Sequence, residues 1–507
     1  MPVKITPMVC AACGAAVAYY CFFPLYRSGS ITANVLITLA FIPVTALSLF
    51  QALSSFPLVD GTGSRLFRMM PLRITAFAAG LALGIGAGTK AVQQVTFGIP
   101  ENTVQGITGV LLDDPRIISG GRAMSILSLR MASGKFGVKA SARGEITVFF
   151  PEESAGRLKE FGRGTEVYAE GFLRNTAGTF GSTYILSADS LHITKIAPPL
   201  ERFRTGVRIK LTLRFTQSSL EDASIAGVGG LALALLVGIR DSLDTGLVSL
   251  YRDAGCSYIL ALSGMHLAVL IAVISFLLKN PLGLRCAAVV GAVIILAYCF
   301  IIGPMPSLVR SVLMYLLGVF AVLGMLKRDS VSLLCMAFLI QLAATPQAGL
   351  SLSFILSYLA LIGILIIGGS LNAVFKGSIP PFLLQPLSVS AGAFIATAAA
   401  TASFFEVLRP VGIIAGLVIA PLTTVFMIGS LVWLCLDTVL PVLSPVLAKP
   451  LFLLYWLMEK TAWLSAKMPG IKVEAAPVLA VSLLAVVLIL WLYCRQRLSE
   501  RKLEPFA

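Results

Sequence analysis

The stretch YRDAGCSYILALSGMHLAVL (251–270) is apolar enough for a membrane helix, yet Ser263 and His266 lie three residues apart in it. Residues at this spacing share one face of a helix. A serine beside a histidine could form a nucleophile and its base, but the base must approach from outside the serine's own helical turn. The chain has two histidines, and the other, His192, lies in a β-rich region. The sequence therefore predicts no catalytic residue at this position.

Two interpretations of these polar residues remain open. In the first, Ser263 bonds back to its own helix and His266 packs between helices, while Gly264 lets another backbone approach closely. In the second, the same residues line a polar path across the membrane, because ionisable groups within a bilayer usually face a protein interior or water.

The elements that must position these residues are membrane helices. The chain is 57% hydrophobic and 12% charged, about half the charged share of an ordinary soluble domain. Apolar runs close to the ~20 residues that cross a bilayer recur along it. We predict a polytopic α-helical membrane protein with about 12–13 spans. The predicted spans are 8–25, 31–56, 71–93, 223–239, 257–278, 284–302, 308–326, 331–346, 351–368, 387–406, 411–440 (long enough for two pieces), 450–466 and 476–494.

A polar stretch, 95–200, interrupts the spans and has a composition typical of β-strands and turns. Its short runs rich in Thr, Val, Ile and aromatic residues are separated by Gly, Pro and Asp. With one short helix near 153–162, they predict a small closed barrel of the OB type. The predicted strands are 103–112, 123–131, 144–151, 165–174 and 182–193.

The predicted domain order follows from these segments. N-terminal transmembrane helices occupy 1–94, the OB-like domain 95–200, a basic juxtamembrane segment 201–222, a multi-span membrane domain 223–494 and a tail 495–507. The start of the juxtamembrane segment, ERFRTGVRIKLTLR (201–214), carries five basic residues and one acidic residue. It predicts a helix that binds lipid headgroups or contacts nucleic acid.

Orientation is predicted from the positive residues. Arg65, Arg68 and Arg73 should keep the loop between the second and third spans in the cytoplasm. The β domain is then extracytoplasmic, and both termini are cytoplasmic. Cys10 and Cys13 have C-x-x-C spacing but lie in an apolar run without a second pair, so no metal site or cofactor is predicted.

Four stretches resemble the ComEC family of bacterial competence DNA-uptake channel proteins. YRDAGCSYILALSGMHLAVL is similar to the family's SGxH segment, and three later stretches agree with the family in the same order. These later stretches are PSLVRSVLMYLLG (306–318), TPQAGLSLSFILSYLALIGI (345–364) and VLRPVGIIAGLVIAPLTTVFMI (407–428). The sequence ends at Ala507 without the metallo-β-lactamase-like domain that many members carry.

The resemblance implies passage of single-stranded DNA across the bacterial cytoplasmic membrane during natural transformation. Arg310 could meet a phosphate there, because a cation near a helix N-terminus becomes favourable when an anion is bound; the alternative is an interfacial arginine that reaches lipid headgroups. Arg409 and Glu406 are expected to form an ion pair at the end of a loop. The residues predicted to line the translocation path are Arg252, Ser263, Gly264, His266, Arg310, Gln347 and Ser353.

In the β domain, local basic patches and exposed aromatic rings would contact the DNA strand. The candidates are Arg130, Lys135, Lys139, Arg143, Tyr168 and Phe172. The alternative for this domain is a structural gate or a partner-docking module.

No G-x-x-x-x-G-K-[ST] motif occurs, so energy must come from a partner or a gradient. The expected partners are single-stranded DNA, membrane lipids, a DNA receptor, a cytoplasmic ATP-driven DNA-pulling protein and a further copy of the chain. Two histidines cannot supply the ligands of a two-metal nuclease, so a separate nuclease acting in trans is expected. The alternative function is a secondary transporter of a small anionic or lipid-like substrate, with broken helices near Pro304 and Pro306.

Overall fold

The computed structural model describes residues 6–25, 63–91, 95–118, 121–134, 138–178, 181–217, 226–260, 262, 264–326, 329–440 and 444–503. The chain forms two compact units. The first contains Met1–Ala91, Asp244–Leu296 and Met305–Ala507, and the second contains Val92–Leu243 and Ala297–Pro304. The predicted span 31–56 lies outside the described residues.

The second unit is built around a closed β-barrel. Its strands are β1 Thr96–Phe97, β2 Val104–Leu111, β3 Arg116–Ile117, β4 Ala123–Gly134, β5 Lys139–Arg143, β6 Glu145–Phe150, β7 Glu166–Gly178 and β8 Gly181–Lys195. Around the ring, β2 pairs with β4, β4 with β6, β6 with β8, β8 with β7, and β7 with β2. All of these pairs are antiparallel except β6 with β8.

This connectivity confirms the predicted OB-like barrel. Five strands close the ring in the chain order first, second, third, fifth, fourth, and a helix, α3 Glu152–Phe161, joins the third to the fourth. Along β6, Ile146, Val148 and Phe150 are buried while the residues between them face outward. This period-2 alternation fills the barrel with apolar side chains.

Two helices follow the barrel within the same unit, α4 Pro199–Gln217 and α5 Ala226–Leu236. The predicted basic segment 201–222 is thus helical as far as Gln217. Residues 297–304, which contain the end of a long apolar helix, belong to this unit as well.

The first unit is helical. The order of its helices is α1 Pro7–Leu25, α2 Gly63–Ala91, α6 Thr245–Asp253, α7 Ser257–Leu260, α8 Gly264–Ile302, α9 Pro306–Leu323, α10 Ser330–Ala344, α11 Leu352–Ile362, α12 Gly369–Val374, α13 Pro381–Phe405, α14 Val411–Val439, α15 Ser444–Ala466 and α16 Ala475–Leu503. A 3₁₀ turn, Pro346–Leu350, precedes α11, and a π-helical turn, Gly363–Gly368, joins α11 to α12. A short hairpin pairs β9 Val407–Leu408 with β10 Ile471–Lys472.

Six helices of the described residues are long and apolar enough to cross a membrane, which makes this a multi-pass membrane protein. They are Gly264–Ile302, Pro306–Leu323, Leu352–Val374, Pro381–Phe405, Val411–Val439 and Ala476–Arg495. Shorter apolar helices occur at Pro7–Tyr20, Thr75–Gly88, Gly227–Leu236 and Ser330–Ala344.

The predicted pair of spans 257–278 and 284–302 corresponds to α8, whose two helical halves meet at a kink. Gly283 leaves helical geometry at φ 72° and ψ 167°, two residues after Pro281. The second half of α8 therefore begins at residue 284, where the second of these spans was predicted to begin. The first half begins later than predicted, at Gly264, because residues 257–260 form a separate short helix.

Candidate functional site

The four stretches that resemble the competence family meet in the membrane unit, and their first contact is between Gly264 and Arg310. Gly264 begins α8, and a Cβ built on it would lie 2.7 Å from Nη2 of Arg310. The same Cβ would lie 2.6 Å from Oγ of Ser311. Only a glycine lets the start of α8 pack this closely against the arginine, so the sequence-predicted Gly264 and Arg310 do lie together.

Arg310 is a buried cation, with 7% of its surface exposed. Its Nη1 donates a hydrogen bond to the carbonyl oxygen of Ser357 in α11, and its guanidinium carbon lies 5.8 Å from the ring centre of Tyr358. No carboxylate of the described residues pairs with it. It is the fifth residue of α9, at the start of the second turn. The site therefore carries a net positive charge.

Three neutral polar side chains extend the site around Arg310. Nε2 of Gln341 in α10 donates to the carbonyl oxygen of Pro306 at 2.9 Å, and the hydroxyl of Tyr358 donates to Oε1 of Gln341 at 2.9 Å. The hydroxyl of Ser307 donates to the carbonyl oxygen of Leu262 at 3.0 Å. We call Arg310, Ser307, Ser311, Gln341 and Tyr358 the Arg310 cluster.

The fourth family-like stretch joins the first through two glycines. A Cβ on Gly412 would lie 2.6 Å from the carbonyl oxygen of Gly255, which has φ 72°, so the two backbones touch. Nη2 of Arg409 pairs with Oδ1 of Asp253 at 3.0 Å, and its Nη1 donates to the carbonyl oxygen of Asp253 at 2.7 Å. The motif around Gly255 is thus held against the start of α14.

The predicted ion pair between Arg409 and Glu406 is wrong. The expectation rested on the i,i+3 spacing, which brings two side chains together when both residues lie on one helix. Helix α13 ends at Phe405, Glu406 adopts a left-handed conformation with φ 57°, and residues 407–408 are a strand. The chain therefore turns between the two residues, and Arg409 pairs with Asp253 instead.

The other residues predicted for the path lie in different surroundings. His266 is fully buried in the first turn of α8, with 0% exposure. Arg252, Gln347 and Ser353 are exposed. Ser263 lies outside the described residues, so its shared helix face with His266 stays a prediction.

The comparisons with known proteins bear on this region. The sequence profile of the family described as "Competence protein" matches residues 235–498, just over half of the chain. This chain belongs to the competence protein family. The match includes every residue of the Arg310 cluster and all four converging stretches, and it gives the protein a role in competence DNA uptake. Neither a curated protein nor a solved structure matches the chain significantly.

Sequence reasoning missed several residues of the site in this competence protein. Gln341 and Tyr358, each 1% exposed, are the clearest. The available signal was Gln341 itself, a long polar side chain in the apolar run LLCMAFLIQLAA (333–344). Such a residue must find a partner inside the helix bundle. Its partners, a tyrosine hydroxyl and a backbone carbonyl, have no sequence signature.

The described residues predicted to contact DNA lie on β4, β5 and β7. Nη1 of Arg130 pairs with Oε2 of Glu166 at 3.1 Å, and the hydroxyl of Tyr168 donates to Oε1 of Glu170 at 2.7 Å. Phe172 is 75% exposed. Lys139 and Arg143 are exposed on β5. Lys135 lies outside the described residues.

The same unit contains a buried ion cluster that the sequence did not predict. Arg204, only 2% exposed, pairs with Oδ2 of Asp114 at 2.5 Å through Nη2 and donates to Oδ1 at 2.9 Å through Nη1. Arg208 pairs with the same carboxylate at 3.3 Å. Both arginines also donate to the last carbonyl oxygens of α8, at residues 300–302. Cations are favourable at a helix C-terminus, so Arg204 and Arg208 cap this one.

This cluster limits the expected role of the basic segment. Burial alone would raise the pKa of Asp114, but the Arg204 hydrogen bond and the charges of Arg208 and Arg204 hold it below its usual value. Arg204 is enclosed by these contacts and is unavailable to lipid headgroups. The exposed basic residues of the same helix are Arg202, Lys210 and Arg214.

In the described part of the chain, no group of three His, Cys, Asp or Glu side chains is arranged to hold a metal ion. The Arg310 cluster holds no acid–base pair or activated nucleophile among its members. Its chemistry is that of an anion contact: a guanidinium, two serine hydroxyls, an amide and a phenol, all in an apolar surrounding.

Proposed function

We propose that this protein is the inner-membrane channel component that passes single-stranded DNA into the cytoplasm during natural transformation. The Arg310 cluster is the part of the channel that contacts the phosphates of the passing strand. The membership of the competence protein family supports the process, and the charge of Arg310 supports the contact.

The observation that carries this proposal is a buried guanidinium with no carboxylate beside it. A charge within a membrane region is costly unless it is paired or meets water. Arg310 has backbone and aromatic contacts, which satisfy hydrogen bonds but leave its charge uncompensated. A passing phosphate would supply the missing negative charge, and the charge would move on with the strand.

A transporter of a small anion would also use an uncompensated arginine near a helix break. The break between α8 and α9, at residues 303–305, is the feature that favours it. However, the carbonyl oxygens at the end of α8 accept hydrogen bonds from Arg204 and Arg208, so they are not open to a coupling cation. The family match favours DNA.

The remaining components follow from the same proposal. The β domain is extracytoplasmic and both termini are cytoplasmic, in line with Arg65, Arg68 and Arg73. A DNA receptor delivers the strand, an ATP-driven protein pulls it, and a nuclease in trans removes the complementary strand. A reporter fused near Gly178 should be active outside the membrane, and one fused after Arg501 should be active in the cytoplasm.

The decisive experiment deletes the gene in a transformable strain and supplies labelled duplex DNA. We expect nuclease-resistant label in the cytoplasm to disappear, while label bound to the cell surface stays at its normal level. Complementation with the intact gene should restore import. Normal cytoplasmic label in the deletion strain contradicts the proposal, and loss of a small-anion flux instead would favour the transporter.

A further inference from the structure

The outer face of the barrel contains a shallow cleft. Its volume is about 260 Å³. We call it the arginine cleft, and its lining residues are Ile118, Arg122, Phe149, Arg174, Ile185 and Ser187. They come from the β2–β4 connection and from the strands β6, β8 and β7.

Strand register places an aromatic row along this cleft. Phe149 on β6 is opposite Ser187 on β8, and Ser187 is opposite Phe172 on β7. Their chain neighbours Val148 and Leu186 are fully buried in the barrel, so the residues of the row face outward. Two phenylalanines therefore flank a serine across three strands. Aromatic rings spaced along a strand-crossing row are suited to stacking against unpaired bases.

The next row supplies positive charge. Arg174 on β7 is opposite Ile185 on β8, one row along from Phe172. Arg122 lies at the start of β4, across the cleft. Both arginines are exposed, and neither forms an ion pair with another described residue. Exposed guanidinium groups without carboxylates are the groups that bind phosphates.

The neighbouring part of the outer face differs in this respect, because the charge of Arg130 is paired with Glu166 there. Two carboxylates border the arginine cleft. Glu170, two residues before Phe172 on β7, accepts hydrogen bonds from Tyr168 and Ser190, and the carboxylate of Glu152 lies beside Gly121. Among the described residues, neither carboxylate forms an ion pair with Arg122 or Arg174.

We propose that the arginine cleft binds a short segment of single-stranded DNA, with phosphates on Arg122 and Arg174 and bases stacked on Phe149 and Phe172. This inference rests on the proposed function, whose substrate it places on a defined face of the β domain. OB barrels commonly bind oligonucleotides near the connection between their first two strands. Fold analogy alone assigns no site; the register and the unpaired arginines assign this one.

The test uses the full-length protein in nanodiscs of uncharged lipid and a fluorescein-labelled oligothymidylate, with anisotropy measured over a salt series. The double variant Arg122→Ala/Arg174→Ala should bind at least tenfold more weakly. Its salt slope should fall by about 1.4, since each phosphate contact of a single strand contributes about 0.7. Phe172→Ser should weaken binding about 5- to 140-fold at every salt concentration, because a stacking contact is lost.

The comparison variant is Lys139→Ala/Arg143→Ala, which removes the same charge from β5, where the sequence predicted a competing DNA contact. It should retain affinity within about twofold and nearly the full salt slope. The barrel of each variant is checked by hydrogen exchange of β2 and β7. Equal losses for the two double variants would mean that only net charge matters, and a loss confined to the Lys139/Arg143 variant would place the strand at β5. Either result overturns the inference.

Binding and import separate the two proposals. If the cleft variants bind normally and the deletion strain still fails to import DNA, the cleft is refuted and the channel function stands. If the deletion strain imports normally, the channel function itself is refuted. Displacement of the oligonucleotide by vesicles rich in phosphatidylglycerol, with no salt-slope change in the cleft variants, would assign the arginines to lipid and overturn the cleft as a DNA site.

Discussion

The two units of this protein satisfy their arginines in different ways. In the barrel unit, Arg204 and Arg208 share the carboxylate of Asp114, and Arg130 pairs with Glu166. In the membrane unit, Arg310 has a backbone carbonyl, a serine hydroxyl and a tyrosine ring, but no carboxylate among the described residues. The barrel unit pairs its buried arginine with a carboxylate, whereas the membrane unit contains a buried arginine that has no carboxylate partner among the described residues.

This difference indicates which arginines hold the fold and which could serve a passing anion. A buried ion pair with several hydrogen bonds costs little to keep and much to break. A buried cation without a counter-ion lowers stability in the resting protein, so its retention requires another reason. The comparison therefore predicts a stability defect for Arg204 variants and an import defect for Arg310 variants.

The largest effect is expected for Arg204→Ala. The change leaves Asp114 and the carbonyl oxygens at the end of α8 without their donors. The free energy of local opening should fall by about 3 kcal/mol, the lower end of the range for a broken buried pair, since Asp114 keeps 24% exposure. Hydrogen exchange of β2 and α4 in the full-length protein measures it.

Arg130→Ala is the matched control for that prediction. It removes the same side chain from an ion pair whose arginine is 60% exposed, so the change should stay below about 1 kcal/mol. If the two variants lose equal protection from hydrogen exchange, the ion pair between Arg204 and Asp114 is not the contact that holds α4 to the barrel.

The next effect is expected for import rather than stability. Arg310→Gln keeps a donor for the carbonyl oxygen of Ser357 but removes the charge. A charged hydrogen bond is worth roughly 1.5–3 kcal/mol, so import should slow about tenfold or more if that bond forms at the limiting step. Arg310→Lys should retain more import than Arg310→Gln, because lysine keeps the positive charge although it lacks the planar guanidinium that can form two parallel hydrogen bonds.

Lys376→Ala, which removes an exposed cation from the same unit, controls for net charge and should import normally. Membrane levels of all variants are compared by immunoblot. Normal import by Arg310→Gln at normal protein level would show that the charge is dispensable, and the contrast between the two units would lose its functional meaning.

The barrel was the more predictable of the two units. Five runs rich in Thr, Val, Ile and aromatic residues, separated by Gly, Pro and Asp, predicted its five ring strands, because these residues favour strands and turns by local sterics alone. The helix 152–161 and the closed order of strands followed as expected. In the membrane unit, apolar runs predicted most helices, including the start of the second half of α8 at residue 284.

Side-chain partners were harder to predict, and for a physical reason. Arg204 looked like one of five similar cations in a basic helix, and only the position of Asp114 ninety residues earlier distinguishes it. The sequence spacing predicted that Arg409 pairs with Glu406, but the helix ends at Phe405 and the chain turns between the two residues. Sequence spacing reports neighbours within one element, whereas these partners come from elements far apart in the chain.

A smaller effect is expected in the membrane unit, for the hydrogen bond between Tyr358 and Gln341. The hydroxyl of Tyr358 donates to Gln341, which in turn holds the first residue of α9. Combining Tyr358→Phe with Gln341→Leu should give a coupling of about 0.6 kcal/mol, the mean for side-chain hydrogen bonds between membrane helices. Unfolding in mixed micelles with increasing dodecyl sulfate measures it. Ser353→Ala, an exposed position in α11, should show no coupling to Gln341→Leu.

The smallest effect concerns pH and the barrel unit. The pKa of Asp114 is lower in the folded protein than its usual value of 3.8, so the folded state binds this proton less readily than the unfolded state. The stability that its charge contributes is complete above the unfolded pKa and is lost as the pH falls through the folded pKa. The difference in opening free energy between the wild type and Asp114→Asn should thus be constant from about pH 8 to about pH 5 and narrow below about pH 4. Hydrogen exchange of β2, corrected for the intrinsic effect of pH, measures this difference. A difference that narrows near neutral pH instead would assign the titration to another group and remove Asp114 as the charge that holds Arg204.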